Sequence, residues 1–213
     1  MQLIGLLGGT FNPIHFGHLR MAQELADALN LAEVRFIPSA NPPHKTAPTV
    51  PAQQRAEMVQ LAIADNPLFK LDTLELNRQG ASYTIDTLIS LREELGENVS
   101  ICLIMGSDAF SKLDSWHRWA ELLNYCHIIL VQRPDSQSQT KLSDQLTAFL
   151  STHYTENVDD LVEKSAGYIH MQQITAQDIS ATNVRKKLTS DKSAKYLVPE
   201  QVLAYIKQQH LYS

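Results

Sequence analysis

The chain has 213 residues, and its 44% hydrophobic and 19% charged residues are typical of a soluble globular enzyme. Its formal net charge of -5 argues against non-specific nucleic-acid binding as the main task, although a nucleotide site needs only a local cluster of basic groups. No apolar segment approaches membrane-spanning length and no cleavable leader is recognisable, so we expect a cytoplasmic protein without a membrane or nucleic-acid partner. Cys102 and Cys126 lie in or beside apolar runs, which indicates small core residues.

The most informative stretch is a glycine-rich turn early in the chain. The apolar run 3–7 predicts a buried parallel strand, and the apolar spacing from Leu19 to Leu29 predicts a helix. Between them lies Gly8-Gly9-Thr10-Phe11-Asn12-Pro13-Ile14-His15-Phe16-Gly17-His18. Glycines let a phosphate approach the backbone, and a helix entry offers free N–H groups. His15 and His18 fall on one side of that entry, so the stretch predicts a polyphosphate site; ordinary turn chemistry with surface histidines is the alternative.

A second candidate contact follows the next strand. The run 34–38 predicts a buried strand, and the tandem prolines after it predict a stiff loop at the strand's carboxyl end. Open α/β sheets bind ligands at that end. His44 and Lys45 would project from this loop toward a phosphate, and a solvated turn with a surface lysine is the alternative.

The middle of the chain continues this alternation. A helix is predicted over 53–64 and a strand over 68–76. Ser82 or Thr84 would then cap a helix that continues to Leu95. A hydroxyl at a helix N-terminus can also contact an anionic ligand.

The next strand, over 99–105, carries a second group of candidates. It runs into Gly106-Ser107-Asp108, where a carboxylate suits a ribose hydroxyl or a helix N-cap. A helical run is predicted around 113–123, and Trp116 lies before its apolar part. Trp116 could therefore be either a core residue or a stacking platform for a flat ring.

The last third of the chain holds a polar stretch and a second anion site. After a strand over 127–131, the polar residues 135–167 predict a surface insertion with one amphipathic helix, and a strand follows over 168–174. A helix starts near Ser180, which is its predicted N-cap. Thr182 and Arg185 then lie in its first turns, where a guanidinium offers a fork to phosphate oxygens.

These two motifs carry a resemblance to a known family. The first stretch resembles the G-G-x-F-[D/N]-P-x-H-x-G-H signature of the HxGH nucleotidyltransferase superfamily. The run 179–185 resembles the second signature of that superfamily, I-S-x-T-x-x-R. The blocks between them resemble those of bacterial nicotinate mononucleotide adenylyltransferases, namely Asn41-Pro42-Pro43-His44-Lys45, Ala81-Ser82-Tyr83-Thr84, Gly106-Ser107-Asp108, Trp116 and Gln132-Arg133-Pro134.

The resemblance covers about the full length and implies a fold. We expect an α/β protein with a Rossmann-like parallel sheet and helices on both faces, as one nucleotidyltransferase domain over 1–213 with a small helical C-terminal part over 178–213. It implies transfer of AMP from ATP to nicotinate mononucleotide, giving deamido-NAD and pyrophosphate in NAD biosynthesis. Mg²⁺ would accompany the ATP, held by phosphate oxygens and water, because no acidic cluster indicates a protein metal site. A homo-oligomer is compatible with the sequence.

The resemblance also assigns roles to particular residues. The catalytic set would be His15, His18, Lys45 and Arg185. The nicotinate mononucleotide would contact His44, Lys45, Thr84, Trp116 and Arg133. The ATP would contact Gly8, Gly9, Thr10, Phe11, His15, His18, Gly106, Asp108, Ile179, Ser180, Thr182 and Arg185.

One position departs from the common pattern. Asn12 stands where many members of the superfamily have Asp, so the sequence offers no carboxylate there. Two other functions stay open: a related adenylyltransferase acting on nicotinamide mononucleotide or phosphopantetheine, and a nucleotide-binding sensor without catalysis.

Overall fold

A seven-stranded parallel sheet forms the centre of the molecule. The computed structural model describes residues 1–41, 48–132, 141–175, 178–190 and 192–212. The strand order is β3-β2-β1-β4-β5-β7-β6, and every paired strand runs parallel to its neighbour. The predicted Rossmann-like α/β fold is therefore confirmed. The strands are β1 (Gln2–Gly9), β2 (Glu33–Pro38), β3 (Phe69–Leu71), β4 (Val99–Gly106), β5 (His127–Gln132), β6 (Tyr154–Thr155) and β7 (Ile169–Gln173).

Helices cover both faces of this sheet. Two 3-10 helices, at Leu113–Ser115 and Trp119–Asn124, lie between β4 and β5. No helix in the described part of the chain combines the length and the apolar character needed to cross a bilayer. The α-helices are α1 (Phe16–Leu29), α2 (Ala52–Ile63), α3 (Thr84–Leu95), α4 (Ser107–Phe110), α5 (Asp144–His153), α6 (Asp159–Glu163), α7 (Ala181–Leu188) and α8 (Glu200–Gln208).

The alternation of side chains along β1 explains the two layers. Leu3 and Leu7 point to a core that α1, α2, α7 and α8 complete, whereas Ile4 and Leu6 point to a core that α3 and α5 complete. Successive strand residues face opposite sides of a sheet, so a strand buried on both faces is apolar throughout. Gly5 lets the first layer approach β1, because a Cβ there would lie 2.9 Å from the side chain of Leu31.

The order of the strands reverses between β1 and β4. From β1 the chain proceeds to β2 and β3 on one side, and β4 then lies on the other side with β5 beyond it. Ligands bind outside the carboxyl ends of the strands at such a switch point. Gly9 ends β1 and Gly106 ends β4, so both predicted glycine sites lie at this edge.

Three local predictions were wrong. The strand predicted over 68–76 ends at Leu71, because Asp72 accepts a hydrogen bond from the backbone N–H of Leu74 and turns the chain. Neither Ser82 nor Thr84 caps α3, whose N-cap residue is Tyr83. The apolar run around 113–123 forms two short 3-10 helices because Arg118, with a φ of 52°, interrupts it.

The polar region before β7 is more structured than its composition indicated. Its described part, 141–167, contains the predicted amphipathic helix as α5 and also contributes α6 and the edge strand β6. Leu146 and Leu161 are fully buried, one in each core layer. Cys102 and Cys126 are free, buried thiols, as predicted.

Candidate functional site

A cleft of about 560 Å³ opens at the switch point of the sheet. Its walls come from the carboxyl ends of β1, β2 and β4, the N-terminal half of α1, the entry to α3, and residues of α4 and on either side of the first 3-10 helix. Sequence-distant segments thus converge on one space at the edge where this fold class binds ligands. The predicted site residues that line it are Gly8, Gly9, Thr10, His18, Thr84, Gly106, Asp108 and Trp116.

The glycines at the strand ends have different roles. A Cβ at Gly8 or Gly106 would meet no atom within 4 Å, so both backbones border open space into which a ligand group can approach. A Cβ at Gly9 would lie 3.0 Å from the ring of Phe11. Gly9 therefore makes room for that ring, which is almost fully buried beneath the turn.

The two histidines form a stacked pair at the start of α1. His15 is the N-cap residue, and its backbone N–H donates to Nδ1 of His18 at 3.3 Å. The rings lie 3.7 Å apart between centroids with an interplanar angle of 22°. Because Nδ1 of neutral His18 accepts, its proton is on Nε2. His15 is buried behind His18, and a Cβ at Gly17 would be 3.0 Å from His15 Nδ1, which explains the glycine between them.

Phe11 fixes the pair from below. Its φ of 46° places it in the left-handed region, which non-glycine residues adopt infrequently. Its ring meets the His18 ring edge-on, with 5.1 Å between the ring centroids. It also packs against the Phe36 ring, with 5.9 Å between the centroids. Phe11 thus supports the site through packing, and its side chain does not line the cleft.

Two arginines hold the carbonyl groups of the glycine-rich turn. Arg55 donates from Nη1 to Thr10 O at 2.6 Å and from Nη2 to Ser39 O at 2.7 Å. Arg185 donates from Nη1 to Asn12 O at 2.7 Å. Charge-assisted bonds of this length are strong. They fix the peptide planes of the turn and place positive charge beside it.

Sequence reasoning missed Arg55 as a functional residue. Its side chain is 1% exposed and its Nε donates to Val50 O at 3.2 Å, so it joins three loop segments. No acidic side chain in the described part of the chain forms a salt bridge with it. Burial lowers the pKa of its guanidinium. The only signal in the sequence is an arginine at a position where α2 otherwise buries Ala56, Met58 and Val59.

The second signature forms the predicted helix start beside the turn. Ser180 is the N-cap residue of α7 and accepts from the backbone N–H of Asn183 at 3.2 Å, as predicted. Thr182 accepts from Nη2 of Arg185 at 3.3 Å. Ile179 O would be 3.4 Å from a Cβ at Gly17, so this segment abuts the start of α1. The residues 179–185 do not line the cleft itself, and Arg185 reaches the turn through Asn12.

The opposite wall of the cleft begins at α3. The Ser82 hydroxyl accepts from the backbone N–H groups of Ala40 and Asn41, each at 3.2 Å, which ties this wall to the end of β2. Glu75 accepts from the Thr87 hydroxyl at 3.0 Å, and burial raises the pKa of its carboxyl. The bond to Glu75 secures the first turns of α3 from below.

Four ionisable residues that line the cleft had no predicted role: Glu75, Tyr83, Lys112 and His117. The Tyr83 and His117 rings lie 4.5 Å apart next to Trp116. The sequence around Glu75 gave no indication of a site residue, because that segment was predicted to be a strand. His44, Lys45 and Arg133 lie outside the described residues.

Taken together, the parallel sheet, the switch-point cleft and the glycine-rich turn before α1 define a nucleotide-binding α/β protein. The chain matches the family model described as "Cytidylyltransferase-like" over residues 6–187. It is 46% identical over 212 residues to a protein of Pseudomonas entomophila named "Probable nicotinate-nucleotide adenylyltransferase", covering 100% of this chain and 95% of that protein. A protein of the same name from Halorhodospira halophila is 45% identical over 202 residues, covering 95% of this chain and 91% of the relative.

Solved structures share the fold. The nicotinic acid mononucleotide adenylyltransferase of Plasmodium falciparum complexed with NaAD has a TM-score of 0.75 at 18% identity, covering 100% of this chain and 98% of that one. A Vibrio parahaemolyticus structure described as a putative nicotinate-nucleotide adenylyltransferase has a TM-score of 0.65 at 16% identity, with coverage of 100% and 96%. The chain therefore belongs to the cytidylyltransferase-like family and, within it, to the nicotinate-nucleotide adenylyltransferases. It is an enzyme of the nucleotidyltransferase class.

Proposed function

We propose that this enzyme transfers AMP from ATP to nicotinate mononucleotide, forming nicotinate adenine dinucleotide and pyrophosphate in NAD biosynthesis. The observation that carries the proposal is the single cleft that joins the β1 turn, the end of β4 and the Trp116 wall. A dinucleotide-forming enzyme needs a phosphate site with a nucleoside site on each side of it. The names of the relatives support this reaction.

The ATP half of the site lies along β1 and β4 in this proposal. The triphosphate lies over Gly8 to Thr10, where the backbone at Gly8 borders open space and the positive end of the α1 dipole lies close by. His18 donates to it from Nε2. The adenosine lies by Gly106 and Asp108, the latter being an exposed carboxylate in the first turn of α4 that can accept from ribose hydroxyls. Ser180 and Arg185 would reach the phosphates from α7, beside the turn that Arg185 contacts at Asn12 O.

The acceptor half lies against the opposite wall. The pyridine ring stacks on Trp116, and its carboxylate lies at the entry to α3, near Thr84. The first N–H groups of a helix have no partner within the helix and attract anions. His44, Lys45 and Arg133 would contact the acceptor's phosphate.

The chemistry needs alignment and charge stabilisation. An oxygen of the mononucleotide phosphate attacks the α-phosphorus of ATP, and the bond from that phosphorus to the bridging oxygen of the β-phosphate breaks. Pyrophosphate leaves with the electron pair, so no protein nucleophile is required. His15 and His18 at the turn, with Lys45 and Arg185, would stabilise the charge that develops on the leaving group.

Mg²⁺ enters this proposal as the companion of ATP. Bound with ATP, the ion would supply positive charge that neutralises the phosphates and helps to orient the leaving group. Among the described residues, no group of three or more His, Cys, Asp or Glu side chains is placed to hold a metal. The phosphates and water would therefore supply most of its oxygen ligands, as Mg²⁺ permits.

The test is pyrophosphate release from ATP with a panel of acceptors. We expect release with nicotinate mononucleotide to exceed that with nicotinamide mononucleotide or phosphopantetheine by at least about tenfold in kcat/KM. His18→Ala should lose most of the activity while keeping its circular dichroism spectrum, since the Nε2 donor is gone. Equal use of nicotinamide mononucleotide would refute the acid specificity. Tight ATP binding without turnover on any acceptor would favour a sensor.

A further inference from the structure

The segment after α8 contacts the glycine-rich turn directly. The hydroxyl of Tyr212 donates to Oδ1 of Asn12 at 2.5 Å, 200 positions away in the chain. We propose that Tyr212 is a positioning residue for the phosphate-binding turn, acting through the side chain of Asn12. The inference rests on the proposed function of that turn, and it gives Asn12 the role that its missing carboxylate left open.

Asn12 is held at two points by two different elements. Its side chain accepts from Tyr212, and its backbone carbonyl accepts from Nη1 of Arg185 at 2.7 Å. Two bonds from different directions fix both the peptide plane and the side-chain rotamer. The same contacts orient Arg185, whose other nitrogen meets Thr182 at the start of α7. A shift of Asn12 would therefore move both the turn and the arginine proposed to bind the phosphates.

The chain after α8 is folded so that Tyr212 reaches Asn12. His210 adopts a φ of 50°, and the backbone N–H of Leu211 donates to Ile206 O at 3.0 Å, a helix-ending pattern that reverses the chain. Leu211 and Ile206 belong to the same core layer, so packing holds the reversal. Tyr212 itself has a φ of 62°, an unfavourable conformation for a bulky residue that its contacts must offset.

The hydroxyl of Tyr212 stays protonated, and therefore a donor, near neutral pH. Burial raises the pKa of the phenol, and the nearby guanidiniums of Arg185 and Arg55 oppose this only in part. A protonated phenol beside an uncharged amide adds no negative charge to this part of the turn. The positive charge of the two arginines therefore remains available to an incoming phosphate.

Tyr205 provides a matched control for the experiment. Its hydroxyl also donates a 2.5 Å hydrogen bond to a residue distant in the chain, Oε2 of Glu57 on α2, and this bond involves neither the turn nor α7. Tyr212→Phe and Tyr205→Phe each remove one hydroxyl hydrogen bond, which is partly buried at Tyr212 and exposed at Tyr205. We expect Tyr212→Phe to lower kcat/KM for ATP about three- to tenfold with little change in KM for the acceptor, and Tyr205→Phe to change it less than about twofold.

A double-mutant cycle separates positioning from general stability. Adding Tyr212→Phe to Asn12→Ala should cause no further loss, whereas adding Tyr205→Phe should act independently. Calorimetry measures the ATP affinity of the same variants without turnover. This comparison tests the inference even if the proposed acceptor is wrong. Equal effects of the two tyrosine variants, or effects of Tyr212→Phe and Asn12→Ala that multiply, would overturn it.

Discussion

Replacing Arg55 by methionine tests whether buried guanidinium bonds hold the phosphate-binding turn in place. Methionine keeps the length and most of the apolar contact of the side chain but removes its donors. Three carbonyl oxygens then lose a partner, namely those of Thr10, Ser39 and Val50. Two of these segments line the cleft, so the change should reach the site as well as the core.

The size of the effect follows from the three bonds. Hydrogen bonds to a charged group contribute about 1.5–3 kcal/mol each, and the two shortest, at 2.6 and 2.7 Å, should dominate. The variant no longer bears the desolvation cost of a buried guanidinium, which offsets part of this loss. We therefore expect the free energy of unfolding to fall by about 2–4 kcal/mol and Tm by roughly 5–15 °C. The KM for ATP should rise because the carbonyls of the turn are no longer fixed.

Arg92→Met is the matched control. Arg92 is also buried and donates to four backbone carbonyls, those of Gly96, Val99, Tyr125 and Ser165, but it does not line the cleft. Urea unfolding followed by circular dichroism gives the stability of each variant, and pyrophosphate release gives its KM for ATP. Both variants should lose stability, and only Arg55→Met should lose ATP affinity. An Arg55→Met protein that unfolds like the wild type, or one whose KM for ATP matches that of Arg92→Met, would refute the reasoning.

Three further predictions concern separate parts of the chain. In steady-state assays, Trp116→Ala should raise KM for nicotinate mononucleotide about tenfold and leave KM for ATP nearly unchanged. Only the pyridine ring loses its stacking partner in this variant. Equal changes in the two KM values would contradict this. Ser180→Ala should cost about 1 kcal/mol in urea unfolding through the lost cap of α7, and no loss would contradict the cap. Burial lowers the pKa of His127, whose Nδ1 accepts from the backbone N–H of Tyr168. The unfolded chain therefore binds a proton more readily, and stability should fall as pH decreases below about 6.5, less so in His127→Asn; identical pH profiles would exclude this contribution.

The strands and helices that pack the core could be predicted from the sequence. Apolar runs such as 3–7 and 99–105 are buried on both faces, so their composition alone indicates central parallel strands. The first glycine-rich turn and the cap at Ser180 were also readable, because local chemistry determines them. The signals for these elements lie in neighbouring residues of the chain, which is why the prediction succeeded.

The supports of the site could not be predicted, because they depend on distant contacts. Arg55 looks like any polar residue of an amphipathic helix until the fold brings Thr10 and Ser39 to it. Ser82 suits a helix cap by residue type, but the fold gives its oxygen to the backbone of Ala40 and Asn41. The wrong strand prediction around Glu75 has the same origin, since an alternating pattern can also belong to a turn whose residues face the cleft.

The most direct test of the account is a crystal structure of this enzyme with nicotinate adenine dinucleotide bound. We predict density for the adenosine beside Gly106 and Asp108, for the phosphates over the β1 turn near His18, and for the pyridine ring against Trp116. Density for the dinucleotide outside this cleft, for example in the separate hollow of about 530 Å³ beside Tyr196, would contradict it.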